Sequence, residues 1–234
     1  MTETGSVHWA VAPLDRPRIA VGDGSFFPVH RIWCVGRNYS EHAREMGGDP
    51  TREPPFFFAK PADAVVPSGA ELEFPRATTD LHHEIELAVA LGAGGSNLSP
   101  EQALDRIFGY AVALDMTRRD RQADAKATAR PWEIGKSFDR SCPIGTIAAA
   151  SEIGHPVSGA IELLVNGDRR QSGDLADMIW SPAECVAALS AIVDLYPGDL
   201  ILTGTPAGVG AVHPGDELTG SCEGVGSLSI RYSR

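Results

Sequence analysis

The stretch LHHEIELAVALG, residues 81–92, opens with two histidines and two glutamates and continues as an apolar run that ends in glycine. The run is rich in Ile, Leu and Val, which favours a buried strand. Because alternate side chains of a strand share a face, Glu84 and Glu86 are predicted to point the same way. His82 has the same parity as the glutamates, whereas His83 is predicted to point to the opposite face.

Two carboxylates at the start of an apolar strand repel each other and lose hydration if they are buried. A bound cation, a shared proton or solvent would each compensate for this. A second apolar strand, FGYAVALDMT, is predicted to end at Asp115 and would add a third carboxylate. Three carboxylates without a thiol suit Mg²⁺, Mn²⁺ or Ca²⁺ better than Zn²⁺. Acidic pairs at strand ends are also often merely solvated, and the two histidines could be ligands or neighbours that orient ligands.

The composition is that of an acidic globular protein. The chain has 234 residues, 43% of them hydrophobic, and a net charge of −11, which argues against a nucleic-acid or anionic-membrane partner. No apolar run approaches the roughly 20 residues of a membrane span, and the first residues do not resemble a signal peptide. The four cysteines form no C-x-x-C pair, which is typical of reduced thiols. These features predict a cytoplasmic protein without a membrane partner.

Strands outnumber helices in the sequence and do not alternate with them, which favours an α+β fold over a doubly wound sheet. Residues 1–30 are predicted to form a short N-terminal segment that packs on the core. Residues 31–234 are predicted to form the main domain, which begins with the strand RIWCVG. Asn166-Gly167 separates two strand-like runs, and this pair predicts a tight hairpin.

Two further patterns predict helices that begin with a capping box. Ser99 is followed three residues later by Gln102, and Ser181 is followed by Glu184. The second of these helices is predicted to continue up to Pro197. Two other segments, SEHAREMGG and TRRDRQADAKA, are also predicted to be helical.

Six segments resemble, in order and spacing, the fumarylacetoacetate hydrolase family, and most closely its acylpyruvase and fumarylpyruvate hydrolase branch. These segments are CVGRNYSEHAREM, HHEIELAVALG, ALDMTRRDRQ, GKSFDRSCPIG, VNGDRRQSG and LILTGTPAGVG. The resemblance covers residues 30–234, nearly the whole chain. It implies a mixed β-roll with short helices, a bound Mg²⁺ or Mn²⁺, and a homodimer. It also implies cleavage of a carbon–carbon bond in a small 2,4-dioxo acid.

The resemblance implies that Glu84, Glu86 and Asp115 are the metal ligands, and a dication between them would explain why the two glutamates tolerate each other. It also implies that His42 and Glu45 form a dyad that activates water. The two lie three residues apart on one face of the short predicted helix. Spacing alone favours a solvated helix that carries an incidental ion pair, and it is the resemblance that favours the dyad.

The resemblance further implies that Lys136 and Gln122 donate hydrogen bonds to the alkoxide that forms when water attacks the substrate. Arg119, Arg37 and Thr205 are the expected substrate-binding residues, and the two arginines could pair with a substrate carboxylate. By composition alone, an ordinary glycine cluster is the better interpretation of the loop TGTPAGVG that contains Thr205, and exposed arginines are usually only solvated.

The function expected from the resemblance is hydrolysis of fumarylpyruvate to fumarate and pyruvate. An acylpyruvase, an oxaloacetate decarboxylase or an isomerase of related dioxo acids could use the same metal and the same enolate, and similarity of fold does not separate them. A metabolite-binding protein that keeps the metal site without catalysis is a further alternative. Binding alone would not need the dyad and the two donors. A dicarboxylate product such as fumarate also predicts a second cationic group near the distal carboxylate.

Overall fold

Strands dominate the computed structural model, which describes residues 9–39 and 53–234. The described strands are β1 (Arg18–Ala20), β2 (Phe26–Pro28), β3 (Arg31–Gly36), β4 (Phe56–Lys60), β5 (Val65–Pro67), β6 (Ala70–Leu72), β7 (Leu81–His83), β8 (Ile85–Leu91), β9 (Ile107–Leu114), β10 (Thr117–Arg118), β11 (Cys142–Ile144), β12 (Ala148–Ala149), β13 (Ala160–Val165), β14 (Asp168–Asp174), β15 (Asp199–Leu202), β16 (Gly210–Val212), β17 (Glu217–Cys222) and β18 (Gly226–Tyr232). The described helices are α1 (Pro100–Leu104), α2 (Arg119–Ala127), α3 (Glu133–Lys136), α4 (Ala150–Ile153) and α5 (Pro182–Ser190). The predicted α+β class is confirmed.

Most strands belong to two large sheets. The larger sheet has the order β4-β3-β15-β8-β9-β11-β5, with β12 also paired to β9, and the smaller has the order β14-β13-β17-β18-β6. Parallel pairs such as β3 with β15 occur beside antiparallel pairs such as β8 with β9, so the larger sheet is mixed. Two small sheets, β1-β2 and β10-β7-β16, complete the described strands.

Strand β8 lies between two hydrophobic clusters, and all seven of its residues are buried. Leu87 and Val89 belong to a cluster shared with the smaller sheet, whereas Ala88 and Ala90 belong to a cluster shared with β1 and β2. The strand therefore presents large residues on one face and small residues on the other. Glu86 has the parity of the alanines, so its carboxylate emerges on the face with the smaller side chains.

The chain changes sheets at Glu84, so the stretch 81–92, predicted to contain one buried strand, is divided between two strands. His83 ends β7, which pairs with β10 and β16, whereas Ile85 begins β8 in the larger sheet.

The predicted hairpin is confirmed, because β13 and β14 are antiparallel and Asn166 and Gly167 both have positive φ, 54° and 86°.

Both predicted capping boxes are present, at the starts of α1 and α5. The prediction that the second helix continues to Pro197 is wrong, because α5 ends at Ser190. Leu195 instead exchanges two backbone hydrogen bonds with Gly95, and these draw the chain out of the helical path. Across the two described ranges, no helix has both the length and the hydropathy that crossing a membrane requires.

Candidate metal centre

Three carboxylates meet where the chain passes between sheets. Glu84 lies between β7 and β8, Glu86 is the second residue of β8, and Asp115 directly follows β9. The antiparallel register that pairs Ile85 with Leu114 brings the start of β8 beside the end of β9. The backbone N–H of Asp115 accordingly donates to the carbonyl of Glu84 at 2.8 Å. The strand register alone therefore brings the three acids together.

The three carboxylates are buried, and one oxygen from each lies within 4.8 Å of the others. Burial, followed by the charges of Asp115 and Glu84, raises the pKa of Glu86 well above its ordinary value. The N–H of Gly204 donates to Oε2 of Glu86 at 2.7 Å and offsets part of this effect. A cation beside Glu86 would act in the same direction as the bond from Gly204 and favour the ionised carboxylate.

Lys136 is a buried cation at the floor of this cluster. Its Nζ lies 2.6 Å from oxygens of both Glu84 and Asp115, and it donates to Oγ1 of Thr117 at 2.7 Å. Burial alone would lower the pKa of Lys136, but the charges of Asp115 and Glu84 outweigh burial and raise it. An ammonium has three donors, so protein atoms use all of them in this arrangement.

Arg119 fixes the orientation of a second polar side chain. Its Nη2 lies 2.5 Å from Oε1 of Glu84, and its Nη1 donates to Oε1 of Gln122 at 2.7 Å. A guanidinium group only donates, so the carbonyl oxygen of Gln122 must face Arg119. The NH₂ group of Gln122 is thereby left to donate to a ligand.

The donor set at this cluster fits a divalent cation that prefers oxygen. Oδ1 of Asp115 is buried and has no hydrogen-bond partner among the described residues, although Nζ of Lys60 lies 2.8 Å from it. Lys60 directs hydrogen bonds to the backbone carbonyls of Met116 and Lys136 instead. Hard carboxylate oxygens are the ligands that Mg²⁺ and Mn²⁺ take in proteins. Glu84, Glu86 and Asp115 could therefore hold such an ion.

The two histidines of the opening segment lie outside this group of three carboxylates. His82 contacts Oδ1 of Asp80 through Nε2 at 2.9 Å, and its Nδ1 accepts from Nε of Arg119 at 3.3 Å. Its neighbour His83 is buried and contacts Oε1 of Gln171 through Nδ1 at 2.9 Å. Burial is the largest effect on both rings and lowers both pKa values. His82 therefore orients Arg119, and His83 orients Gln171.

A chain of hydrogen bonds connects the start of β8 to Thr205. The N–H of Ile85 donates to Oε1 of Gln171 at 3.0 Å, which fixes the orientation of the amide. Nε2 of Gln171 then donates to Oγ1 of Thr205 at 2.8 Å and to the carbonyl of Pro206 at 2.9 Å. Because Thr205 accepts this bond, its own hydroxyl hydrogen remains to donate to a ligand.

The carboxylates line a cavity that opens to solvent. The sequence-predicted site residues within the described part of the chain all line it, namely Arg37, Glu84, Glu86, Asp115, Arg119, Gln122, Lys136 and Thr205. His42 and Glu45, the predicted dyad, lie outside the described residues, as does the short helix predicted to carry them.

An aromatic wall, formed by Phe56, Phe58 and Trp132, also lines the cavity. Trp132 meets Phe56 edge to face at 5.5 Å between ring centroids and lies 6.0 Å from Phe58. Phe56 packs so closely on Gly36 that a Cβ there would lie 2.0 Å from the ring. Arg37 follows with φ of 59°, in the left-handed region that residues other than glycine rarely adopt.

Sequence reasoning missed several of these residues as members of the site. Lys60 could have been suspected, because a lysine that ends an apolar run such as FFFAK is unusual. The role of Gln171 had no local signal, since the residue lies on a largely exposed strand and only its burial reveals it. Phe56 and Phe58 come from a strand that the sequence does not link to the carboxylates, whereas Lys126 lies four residues after Gln122 on α2, a spacing that could have pointed to it.

Comparison with known proteins finds a matching family model and similar relatives. Residues 31–231 match the family model described as fumarylacetoacetate (FAA) hydrolase C-terminal. The chain is 41% identical over 214 residues to a protein named oxaloacetate tautomerase FAHD1, mitochondrial, from Rattus norvegicus, covering 88% of this chain and 96% of the relative. It is 43% identical over 199 residues to oxaloacetate tautomerase YcgM from Escherichia coli, covering 85% and 90%.

Among solved structures, the chain is similar to fumarylpyruvate hydrolase from Pseudomonas aeruginosa in complex with Mn²⁺ and pyruvate. The two chains are 52% identical and superpose with a TM-score of 0.94, covering 97% of this chain and 99% of the other. This similarity confirms the predicted mixed β-roll.

Proposed function

Because this chain belongs to the fumarylacetoacetate hydrolase family, we propose that it is a divalent-metal-dependent enzyme that hydrolyses a carbon–carbon bond in a small 2,4-dioxo acid. The substrate we assign is fumarylpyruvate, and the products are fumarate and pyruvate. The observation that carries this proposal is the cavity, where three buried carboxylates lie beside the donors of Gln122 and Thr205. The 52% identity to a fumarylpyruvate hydrolase supports the choice of substrate.

In this proposal Glu84, Glu86 and Asp115 hold Mg²⁺ or Mn²⁺. When bound, the ion supplies a Lewis acid for the 2-oxo acid end of the substrate and for the negative charge that develops there. The hydroxyl of Thr205 donates to the substrate carboxylate at that end. Arg119 donates to the same carboxylate through the Nη hydrogens that are not bonded to Glu84 or Gln122.

Hydrolysis adds water to the C4 carbonyl and then breaks the C3–C4 bond. The electron pair of that bond leaves with the pyruvyl half, and a proton returns to C3. We assign His42 as the base that takes the proton from water and Glu45 as the carboxylate that orients it. The NH₂ group of Gln122 donates to the oxygen on C4 as negative charge develops there, and a donor in this position is typically worth about 2.7–4 kcal/mol.

Lys136 is the second assigned donor to that oxygen. Its three donors all contact Glu84, Asp115 and Thr117 in the structure. It can reach the substrate oxygen only by exchanging one of these bonds, so its main contribution in the resting site is to hold the carboxylates.

A second candidate activity is the tautomerisation of oxaloacetate, with its decarboxylation as a related outcome. The names of the relatives that are 41% and 43% identical favour tautomerisation. That reaction moves a proton between C3 and the 2-oxygen and needs no attack by water on a carbonyl. The same carboxylates and a base at His42 would serve it.

The test of the proposed function compares fumarylpyruvate, acetylpyruvate and oxaloacetate as substrates of the purified protein with Mg²⁺, with Mn²⁺ and with EDTA. Metal-dependent release of fumarate and pyruvate, with the highest kcat/KM for fumarylpyruvate, is the expected result. Turnover of oxaloacetate alone would replace the hydrolase assignment with the second candidate. The His42→Gln variant should bind Mn²⁺ as the wild type does but lose hydrolysis.

The family resemblance also leads us to assign a cytoplasmic homodimer. Light scattering of the purified protein tests the oligomeric state, and a monomer at micromolar concentration would contradict it.

A further inference from the structure

The outer rim of the cavity carries cations that form no ion pair with the carboxylates at its floor. Four cations and three carboxylates line the cavity. Lys136 and Arg119 are ion-paired with the carboxylates at distances of 2.5–2.6 Å. Across residues 9–39 and 53–234, no carboxylate forms an ion pair with Arg37 or Lys126. Both of these side chains are exposed, whereas the carboxylates are buried, so they lie at the outer end of the cavity.

Arg37 and Lys126 approach the same aromatic wall. The guanidinium carbon of Arg37 lies 5.9 Å from the centroid of Phe56, and Nζ of Lys126 lies 4.9 Å from that of Trp132. Those two rings touch edge to face. The two cations are therefore held against adjacent rings by contacts that leave their hydrogen-bond donors available.

We propose that Arg37 and Lys126 form an anion subsite that binds the distal carboxylate of a dicarboxylic 2-oxo acid, whose other end lies on the acidic floor. This inference rests on the proposed function, because it takes the floor of the cavity as the place of the 2-oxo acid group. The carbon chain between the two ends lies along Phe58 and Trp132, where an apolar or unsaturated segment packs against the rings.

The electrostatics of the rim agree with an anion at this place. Partial burial, followed by the charges of Arg119, Arg37 and Lys136, lowers the pKa of Lys126. A carboxylate between Arg37 and Lys126 would relieve the mutual repulsion of these cations, and charge-assisted hydrogen bonds would add to the gain. The subsite makes Lys126 a specificity-determining residue, because it distinguishes substrates with an anionic tail from those with a neutral tail.

The test uses two ligands that cannot be cleaved because they lack the 4-oxo group. 2-Oxoheptanedioate has the seven-carbon chain of fumarylpyruvate and a distal carboxylate, and 2-oxoheptanoate has the same length with a methyl end. The dissociation constants of both are measured by calorimetry on the Mn²⁺-loaded protein. The wild type should bind the diacid at least about tenfold more tightly than the monoacid, as expected for one charge-assisted contact.

The variant Lys126→Met should reduce this preference by about tenfold, and Lys126→Arg should restore most of it. Arg37→Met should reduce the preference in the same direction. Arg130→Met is the matched control, because Arg130 is exposed and does not line the cavity, so it removes a nearby charge without removing the subsite. The monoacid measured on each variant reports whether the floor of the cavity is intact.

Equal affinity of the wild type for the two ligands would overturn the proposal, and so would a preference that survives both Lys126→Met and Arg37→Met. Raising the salt concentration should weaken the diacid preference through screening and leave the monoacid nearly unaffected. Failure of the hydrolase assignment would appear separately, as an absence of fumarylpyruvate turnover by the wild type. The hydrolase assignment and the anion subsite are therefore tested by different measurements.

Discussion

Nζ of Lys60 lies 2.8 Å from Oδ1 of Asp115, and neither side chain is exposed to solvent. Lys60 is the last residue of β4, an edge strand of the larger sheet. Asp115 directly follows β9, an interior strand of the same sheet. Lys60 also donates to the carbonyls of Met116 and Lys136, so it connects the two segments that deliver Asp115 and Lys136 to the site. This buried ammonium is a structural support of the candidate metal centre.

Replacement of Lys60 by methionine should lower the free energy of unfolding by about 3 kcal/mol or more, because it leaves a buried carboxylate and two carbonyls without their cation. Urea denaturation followed by fluorescence measures the change. Arg130→Met is the control, since Arg130 is exposed and does not line the cavity and should change stability by less than about 0.5 kcal/mol. A loss for Lys60→Met no larger than that of the control would contradict the support role.

Replacement of Glu86 by glutamine should weaken Mn²⁺ binding by at least about tenfold, because changes around metal ligands commonly cost that much and a direct ligand should cost no less. Calorimetric titration of the metal-free protein with Mn²⁺ gives the affinity directly. Glu217→Gln, an exposed change on β17, should leave the affinity unaltered. Unchanged Mn²⁺ affinity in Glu86→Gln would remove Glu86 from the metal site.

Gln171 is expected to act through Thr205. The variant Gln171→Met should raise KM for the dioxo acid by about tenfold with a smaller effect on kcat, because Thr205 loses the bond that orients its hydroxyl. Thr205→Val should have a similar effect, and the double variant should be little worse than either single one, as two residues of one network behave. Additive losses would show that Gln171 acts on something other than Thr205.

Gly204 is expected to tolerate no side chain. Its φ is 95°, and a Cβ there would lie 2.7 Å from Cβ of Asn38. Gly204→Ala should therefore lower stability by more than Gly24→Ala, which has a similar φ of 86° and open space around it. The control reports the backbone strain alone, about 1–2 kcal/mol for a left-handed residue. The Gly204 variant should also weaken Mn²⁺ binding, because its N–H donates to Glu86. Equal losses of stability in the two variants would contradict the steric explanation.

The local features of the fold follow patterns that a single sequence contains. The apolar run that contains the two glutamates predicts a strand in which Glu84 and Glu86 share a face, and Asn166-Gly167 predicts a tight hairpin. Helix α5 begins at its capping box as predicted, yet it ends seven residues before Pro197. The end was missed because Leu195 pairs with Gly95 from a distant part of the chain, and local propensity does not report such a partner.

The sequence by itself determined the family, the fold class and the pair of acidic strand segments, because these depend on short patterns that recur in order along the chain. Only the tertiary structure decided how the site is held together. Gln171 lies 86 positions from Ile85 and 34 from Thr205, yet its amide joins both. Lys60 likewise reaches the carbonyl of Met116, 56 positions away. Such contacts depend on strand order and register in the sheets, which bring remote residues together without leaving a local pattern in the sequence.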